Sequence, residues 1–150
     1  MLSLGETSEL PHGEIRAALD RIVASDMLRQ SPQLAAFLRF IVETTLRGEA
    51  SWIKGYTIAL EALGRDDGFD PQTDPIVRVE AGRLRRALQR YYSGPGAKDR
   101  IVIEVARGHY VPSFHRRLEE PVPVFFGLNV DYSPRSRTLR AYLLPRSRLP

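Results

Sequence analysis

The chain has no cysteine among its 150 residues. That absence removes disulfides, thiolate metal sites and cysteine nucleophiles together, and it fits a reducing compartment. No uninterrupted apolar run approaches the roughly 20 residues that cross a bilayer, and residues 1–10 lack a positive segment leading into an apolar one. The expectation is therefore no membrane contact and a cytoplasmic location. Histidine is sparse, and His12, His109 and His115 stand at no ligand or catalytic spacing. There is neither a nucleophile–base pair nor a glycine-rich phosphate loop, so no enzyme, no cofactor and no metal are expected. The nearest approach to an ion loop is Asp66, Asp67 and Asp70. Their spacing lacks the alternation and closing glutamate of a calcium loop, which favours helix caps and a solvated turn.

Acidic residues are also scarce where basic ones abound. Residues 1–73 carry seven basic and eleven acidic side chains, whereas residues 74–150 carry fifteen and seven, a split hidden by the overall net charge of +4. The second half seeks a polyanion. A hydrophobic content of 43% suffices for the core of one domain.

After a loose start over residues 1–11, helical spacing of Ile15, Leu19, Ile22 and Val23 predicts a helix from Glu14 to about Ala24, with Met27 and Leu28 in a buried turn. Ser31-Pro32 opens a second helix that runs to Leu46 and buries Leu34, Phe37, Leu38, Ile41, Val42 and Thr45. Packing alone explains this pattern, so this helix is expected to be the central strut. A third helix spans roughly Ile53 to Leu63 and carries Tyr56, Ile58, Ala59 and Leu60, with Trp52 and Ile53 entering the core beside it. Residues 65–73 then form a turn-rich connection.

The segment from Asp74 to Tyr92 is the most informative. Asp74 can accept first-turn amides, Pro75 suits the first helical position, and Ser93-Gly94-Pro95-Gly96 supplies residues tolerant of positive φ and then a helix breaker. Wound at 3.6 residues per turn, Val77, Ala81, Leu84, Leu88, Tyr91 and Tyr92 form an apolar face. Arg78, Val79, Gly82, Arg86, Gln89 and Arg90 lie opposite, Arg83 and Arg85 flank them, and Glu80 is the one acid inside the helix, suited to a salt bridge that orients Arg83 or a neighbour, with base reading the lesser alternative. Tyr91 and Tyr92 can in principle stack bases, but their place on the apolar stripe favours packing. A basic face of this kind is either merely solvated or a binding surface. Arginine grips phosphate and guanine edges through two bonds at once, and Gly82 leaves room for close approach, which favours binding.

Beyond the arginine helix the period falls to two. Ile101, Ile103 and Val105 alternate with Val102, Glu104 and Ala106, and Arg107-Gly108-His109 reverses the chain into Tyr110 to Phe114, with Pro112 fit for an edge. The expected fold class is mainly α with a C-terminal β-hairpin, a winged helix-turn-helix.

Arg83-Leu84-Arg85-Arg86-Ala87-Leu88, followed by Val105-Ala106-Arg107-Gly108-His109-Tyr110, resembles the OmpR-type winged helix. The longer string from Ser31 to Tyr110 is similar to a winged-helix module at the N-terminus of bacterial regulators and of tetratricopeptide-repeat proteins. There SPxLxxFLRFIVE, FDPxTDPIVRVEAxRLRRxLxxYY and a closing GxYVPxF recur. The resemblance covers about residues 12–116. It implies a bacterial transcription regulator that binds double-stranded DNA, with residues 74–92 as recognition helix in the major groove and residues 100–114 as wing on the minor groove or backbone. By the same resemblance Arg78, Arg83, Arg86 and Arg90 would meet bases or phosphates beside Gln89, Arg107 would stand at the wing, and Lys54 would face the backbone; His109 at the wing tip is either a plain turn residue or a DNA contact. His109 replaces a glycine of the OmpR-type wing, helices replace its N-terminal sheet, and no receiver or repeat domain is present. A nucleoid-associated location follows from the same reading.

The domain is thus expected over residues 12–117, followed by a Pro/Arg-rich tail, 118–150, that is largely irregular. Its arginines are either backbone-tracking or solvated, and Val122 to Phe126 is a candidate contact for a partner. A homodimer is admissible because one helix and one wing cover few base pairs. The alternative function is a protein–protein interaction module that recruits or modulates a transcription regulator or the transcription machinery.

Overall fold

The computed structural model describes residues 10–117, 128–133 and 138–143. Residues 1–9 and Val122 to Phe126, for which expectations were stated above, lie outside the described residues. The chain divides into two units, residues 1–117 and 118–150.

In the first unit α1 (His12–Ala24), α2 (Asp26–Arg29) and α3 (Pro32–Leu46) are followed by a 3-10 turn (Ala50–Trp52), α4 (Gly55–Glu61), α5 (Ile76–Ser93) and an antiparallel pair, β1 (Ile101–Glu104) with β2 (Ser113–Arg116). This is a mainly helical architecture closed by a small hairpin.

Helix α3 is the strut around which the rest is laid, touching α1, α2, α4 and α5. Phe37, Leu38, Ile41 and Val42 are fully buried along it. A side chain such as Phe37 contributes about 1.5–3 kcal/mol by leaving water. Thr44, not Thr45, completes the stripe. Thr44 lies seven residues after Phe37, nearly two full turns, and so on the same side of the helix. Thr45 is half-buried and donates its hydroxyl to the Ile41 carbonyl at 2.7 Å. Pro32 opens the helix as expected, although the Ser31 hydroxyl makes no capping bond.

One aromatic expectation, Trp52 in the core, is corrected beside α4. Trp52 is 57% exposed and Tyr56 40% exposed. Ile53 takes the core position beside them, which turns Trp52 outward, and the Tyr56 hydroxyl donates to the Asp67 carbonyl at 3.3 Å over the following loop. The helix is also shorter than predicted: Ile53 and Lys54 are extended, so it starts at Gly55, and it ends at Glu61. The aspartates of the connection serve as turn formers: Asp66 accepts the Gly68 amide at 3.1 Å and Asp70 the Gln72 amide at 2.9 Å.

Helix α5 starts at Ile76, with Pro75 at the cap and not at the first helical position, yet Asp74 still caps it by accepting the Ile76 amide at 3.0 Å. Val77, Ala81, Leu84, Leu88 and Tyr91 are buried along one face, whereas Tyr92 is half-buried. The helix ends without a left-handed residue, since Gly94 has φ −128°. The requirement at this end is space: a Cβ on Gly96 would stand 2.2 Å from the Tyr91 ring. Tyr91 in turn donates its hydroxyl to Asp99, which also faces Arg21 of α1 at 3.5 Å.

Strand β1 pairs with β2 in the register Ile101↔Arg116 to Glu104↔Ser113. Both strands are shorter than the alternation implied. Pairing stops at Glu104, residues 105–112 form a loop, and Pro112 sits buried just before β2 instead of on an edge strand.

The second unit, expected to be largely irregular, contains regular structure as well. β3 (Leu128–Ser133) and β4 (Thr138–Leu143) form an antiparallel pair. Its register sets Leu128 opposite Leu143, Val130 opposite Ala141 and Tyr132 opposite Leu139. Apolar residues at alternate positions of both segments favour this pairing over coil.

Candidate nucleic-acid interface

The outward side of α5 carries Arg78, Val79, Arg83, Arg86, Gln89 and Arg90, all exposed. The amphipathic winding that buries Leu84 and Leu88 necessarily turns these residues to solvent. Gly82 lies among them, and a Cβ built there would meet the Arg86 guanidinium at 3.9 Å. Arg86 therefore lies back along the preceding turn, the direction helical geometry favours.

Among the described residues, Arg78, Arg86 and Arg90 take part in no ion pair or side-chain hydrogen bond, and neither does Arg107 in the loop after β1. Their charge is left for solvent or a partner. Arg83 differs. Its guanidinium donates to Glu80 at 3.0 Å, and Glu80 is 3% exposed. This is the orienting salt bridge expected from the helix, with Glu80 anchored beneath a half-exposed Arg83. Among the described residues the second carboxylate oxygen of Glu80 has no partner, and Arg83 supplies the only side-chain donor to this buried charge.

Arg85 was read from sequence only as a flank, and here it has the most specific role. Its Nε donates to the Val105 carbonyl at 3.1 Å, and its Nη2 to the Ala106 and His109 carbonyls at 3.1 and 2.9 Å. The register would next set Val105 opposite Pro112, which has no amide to donate, so the strands part after Glu104 and Arg85 engages the carbonyls of the loop. A planar guanidinium with donors in a fixed fork suits three converging carbonyls, and an ammonium does not. Gly108, at φ +82°, makes the turn that brings the His109 carbonyl round. On the far side the loop is held by Tyr110, whose ring meets Phe37 edge-on with centroids 6.4 Å apart. The loop is thus tethered to α5 and α3 while Arg107 and His109 remain exposed.

Tyr92 secures the outer edge of β1. Its hydroxyl accepts the Ile103 amide at 2.8 Å and faces the Ile101 carbonyl at 3.5 Å. Burial raises its pKa, opposed by that amide bond. Burial, then the hydrogen bond and negative charge of Asp99, push Tyr91 up to about 12. Both rings are fold elements: they contact each other edge-on at 5.1 Å, and Arg117 lies 5.9 Å from the Tyr92 centroid.

Lys54 is exposed at the start of α4, with its amide donated to Thr57 Oγ1 at 3.0 Å. Helix α4 packs on α5. Of the predicted residues, Arg78, Arg83, Arg86, Gln89 and Arg90 thus share one helix, and Arg107 and His109 share a loop fastened to it. Lys54 stands on the neighbouring helix with no bond to either. The chemistry available is that of a cationic helix surface with guanidinium donors and a short loop beside it. Comparison with protein-family models, with curated proteins and with solved structures finds no match for this chain.

Proposed function

We propose that this chain is a winged helix-turn-helix protein that binds double-stranded DNA in a sequence-specific way as a bacterial transcriptional regulator, working in the cytoplasm on the nucleoid. In this reading α5 enters the major groove, the loop carrying Arg107 and His109 follows the minor groove or the backbone, and Lys54 approaches a phosphate. The observation that carries it is a division of labour among arginines. Every arginine from residue 12 to residue 47 has a carboxylate partner: Arg16 with Glu43, Arg21 with Asp99, Arg29 with Asp26, Arg39 with Asp20 and Arg47 with Glu49. Arg65 and Arg100 stand alone elsewhere, whereas Arg78, Arg86, Arg90 and Arg107, also without such a partner among the described residues, gather on one helix and its tethered loop. An accumulation of unneutralised guanidinium on a narrow rod repels itself and gains from a polyanion.

The test is binding of the full chain to a random-sequence duplex library, followed by affinity measurements over a range of salt. If Arg78, Arg86, Arg90 and Arg107 each neutralise one phosphate, log affinity falls against log salt with a slope of about −4, from −0.9 per contact. Recovery of one shared motif, lost in the Arg86→Ala, Arg90→Ala variant, supports the reading. Retention without a motif would leave a nonspecific binder. A chain that retains no duplex would turn the reading to protein contact, for which the 57% exposed Trp52 is the first residue to probe.

A further inference from the structure

We infer that Val79 is a specificity-determining residue that contacts the 5-methyl group of a thymine. This rests on the DNA-binding reading of α5 and names a chemical feature of its ligand. Val79 is 51% exposed, the fourth residue of α5, and lies within the polar face. Arg83, Arg86 and Arg90 follow it at spacings of four, seven and eleven residues, which keeps all four side chains along one line of the helix.

Nothing in the fold calls for valine there. It is absent from the core and from the half-buried residues packed against it, whereas Val77, two residues earlier, is 3% exposed and belongs to the core. A β-branched side chain is a poorer helix former than alanine, arginine or lysine, so an exposed valine in a helix adds nothing to stability. Its surroundings narrow the occupant. Arg78 and Arg83 adjoin it in sequence and in the next turn, Arg86 leans back toward Gly82, and the missing side chain at Gly82 lets a surface come close. An apolar partner here must bring negative charge or acceptor atoms with it.

The major groove of DNA has that composition. Guanine presents O6 and N7 acceptors that guanidinium engages, phosphates line the rim, and the thymine methyl is the apolar group on the groove floor. Arginine positions alone would favour guanine and phosphate. Val79 adds a requirement for thymine, and because uracil lacks the methyl it also favours DNA over RNA.

The experiment uses the duplex selected by the full-length chain, with each thymine replaced in turn by deoxyuracil, a change that removes the methyl and keeps the base pair. Affinities are measured for the wild type, Val79→Ala and Val79→Ile, with circular dichroism showing that the exposed substitutions leave the helix intact. One replacement should weaken wild-type binding about four-fold, the effect of losing one buried methyl-sized group. Val79→Ala should bind the thymine duplex about as weakly as the wild type binds the deoxyuracil duplex and ignore the replacement, while Val79→Ile should keep the sensitivity. Equal wild-type affinity at every replacement, or a loss of the same size in Val79→Ala, overturns the inference while leaving Arg86-dependent DNA binding intact. A selected site without thymine overturns it in the same way. If the wild type retains no duplex, the reading of α5 fails as well, and both are discarded.

Discussion

The arginines of the first three helices and those of α5 are the same side chain put to two uses. Arg16 and Arg39 join neighbouring helices through Glu43 and Asp20, each at 3.2 Å, and both ends of each pair are open to water. Such pairs contribute about 0–1 kcal/mol because solvent and salt screen them. On α5 the arginines fall into three grades: Arg78, Arg86 and Arg90 are unpartnered, Arg83 is held by a buried acid, and Arg85 is spent on three carbonyls. The lesson is that basic charge by itself says little about binding; what matters is whether the fold has already consumed it.

The comparison breaks most visibly in binding. Arg86→Ala with Arg90→Ala should lower affinity for a preferred duplex by about 2–6 kcal/mol in sum if each reads a base, at roughly 1–3 each. If both meet phosphates instead, the salt slope should shrink by about 2. The melting temperature should stay put, since exposed substitutions change stability by about ±0.5 kcal/mol. Arg16→Ala with Arg39→Ala removes the same charge and should leave most of the affinity in place. Fluorescence anisotropy of both variants at matched salt decides it. Equal losses would reduce the helix to one contributor to net charge.

The intermediate grades sharpen the contrast through stability. Arg83→Ala strips from a buried carboxylate its only donor among the described residues, a situation that costs about 1–3 kcal/mol. Glu80→Gln keeps a hydrogen-bonding partner without the charge and should cost less. Arg85→Ala should destabilise by about 1–2 kcal/mol, since its carbonyls lie near solvent and can be rehydrated. It should also speed amide exchange and proteolysis across residues 105–112, and Arg85→Lys should not restore protection, because an ammonium cannot span three carbonyls. Thermal melts and hydrogen exchange separate the two. A protected loop in Arg85→Ala would remove the tether.

How much of this was legible in the sequence depends on whether a residue's partner has a sequence signature. The two faces of α5 are legible because apolar spacing from Val77 to Tyr91 fixes the winding, and Glu80 was readable because its partner Arg83 is three residues away. Arg85 was not readable: its partners are backbone carbonyls twenty and more residues on, which every residue type supplies alike. Trp52 misled because hydrophobicity states a preference, while the chain's path through the 3-10 turn gave the core position to Ile53. In residues 118–150 the prolines drew attention from the alternation in Leu128–Ser133 and Thr138–Leu143 that supports the second hairpin. Of the candidate site, the membership of the helix face was legible. The fastening of the loop was not, because it depends on strand pairing that ends early.

A smaller effect appears only in alkali, where the paired population meets α5. Asp99 faces Arg21 and accepts the Tyr91 hydroxyl, so one carboxylate serves both regions. With a folded pKa of about 12 against 10.0 for the unperturbed group, Tyr91 binds its proton more tightly in the folded chain. Its contribution is therefore fully present below pH 10.0 and is lost as pH rises through about 12. Tyrosine absorbance should show Tyr91 among the late-ionising groups, with Tyr92 also shifted upward, and Tyr91→Phe should remove one late step. At neutral pH Tyr91→Phe should cost about 0.5–1.5 kcal/mol, one hydrogen bond. A titration in which every tyrosine ionises together near 10 would dissolve the link.

The smallest effect belongs to the exposed pairs themselves. A double-mutant cycle on Arg39 and Asp20, 3.2 Å apart on α3 and α1, should give a coupling of about 0.2–1 kcal/mol that fades between low and high salt. That weakness sustains the contrast with α5. If the pairs are worth little to the fold, their value lies in leaving the rest of the surface without competing cationic patches, so that a polyanion meets positive potential chiefly at the unpartnered arginines. The variant that tests this is Asp20→Asn with Glu43→Gln, which frees Arg39 and Arg16 without adding a basic residue. Stability should hardly change, while retention of nonspecific duplex at low salt should rise as discrimination by the selected site falls. Unchanged discrimination would mean that the pairing of the first three helices has no part in directing DNA to α5.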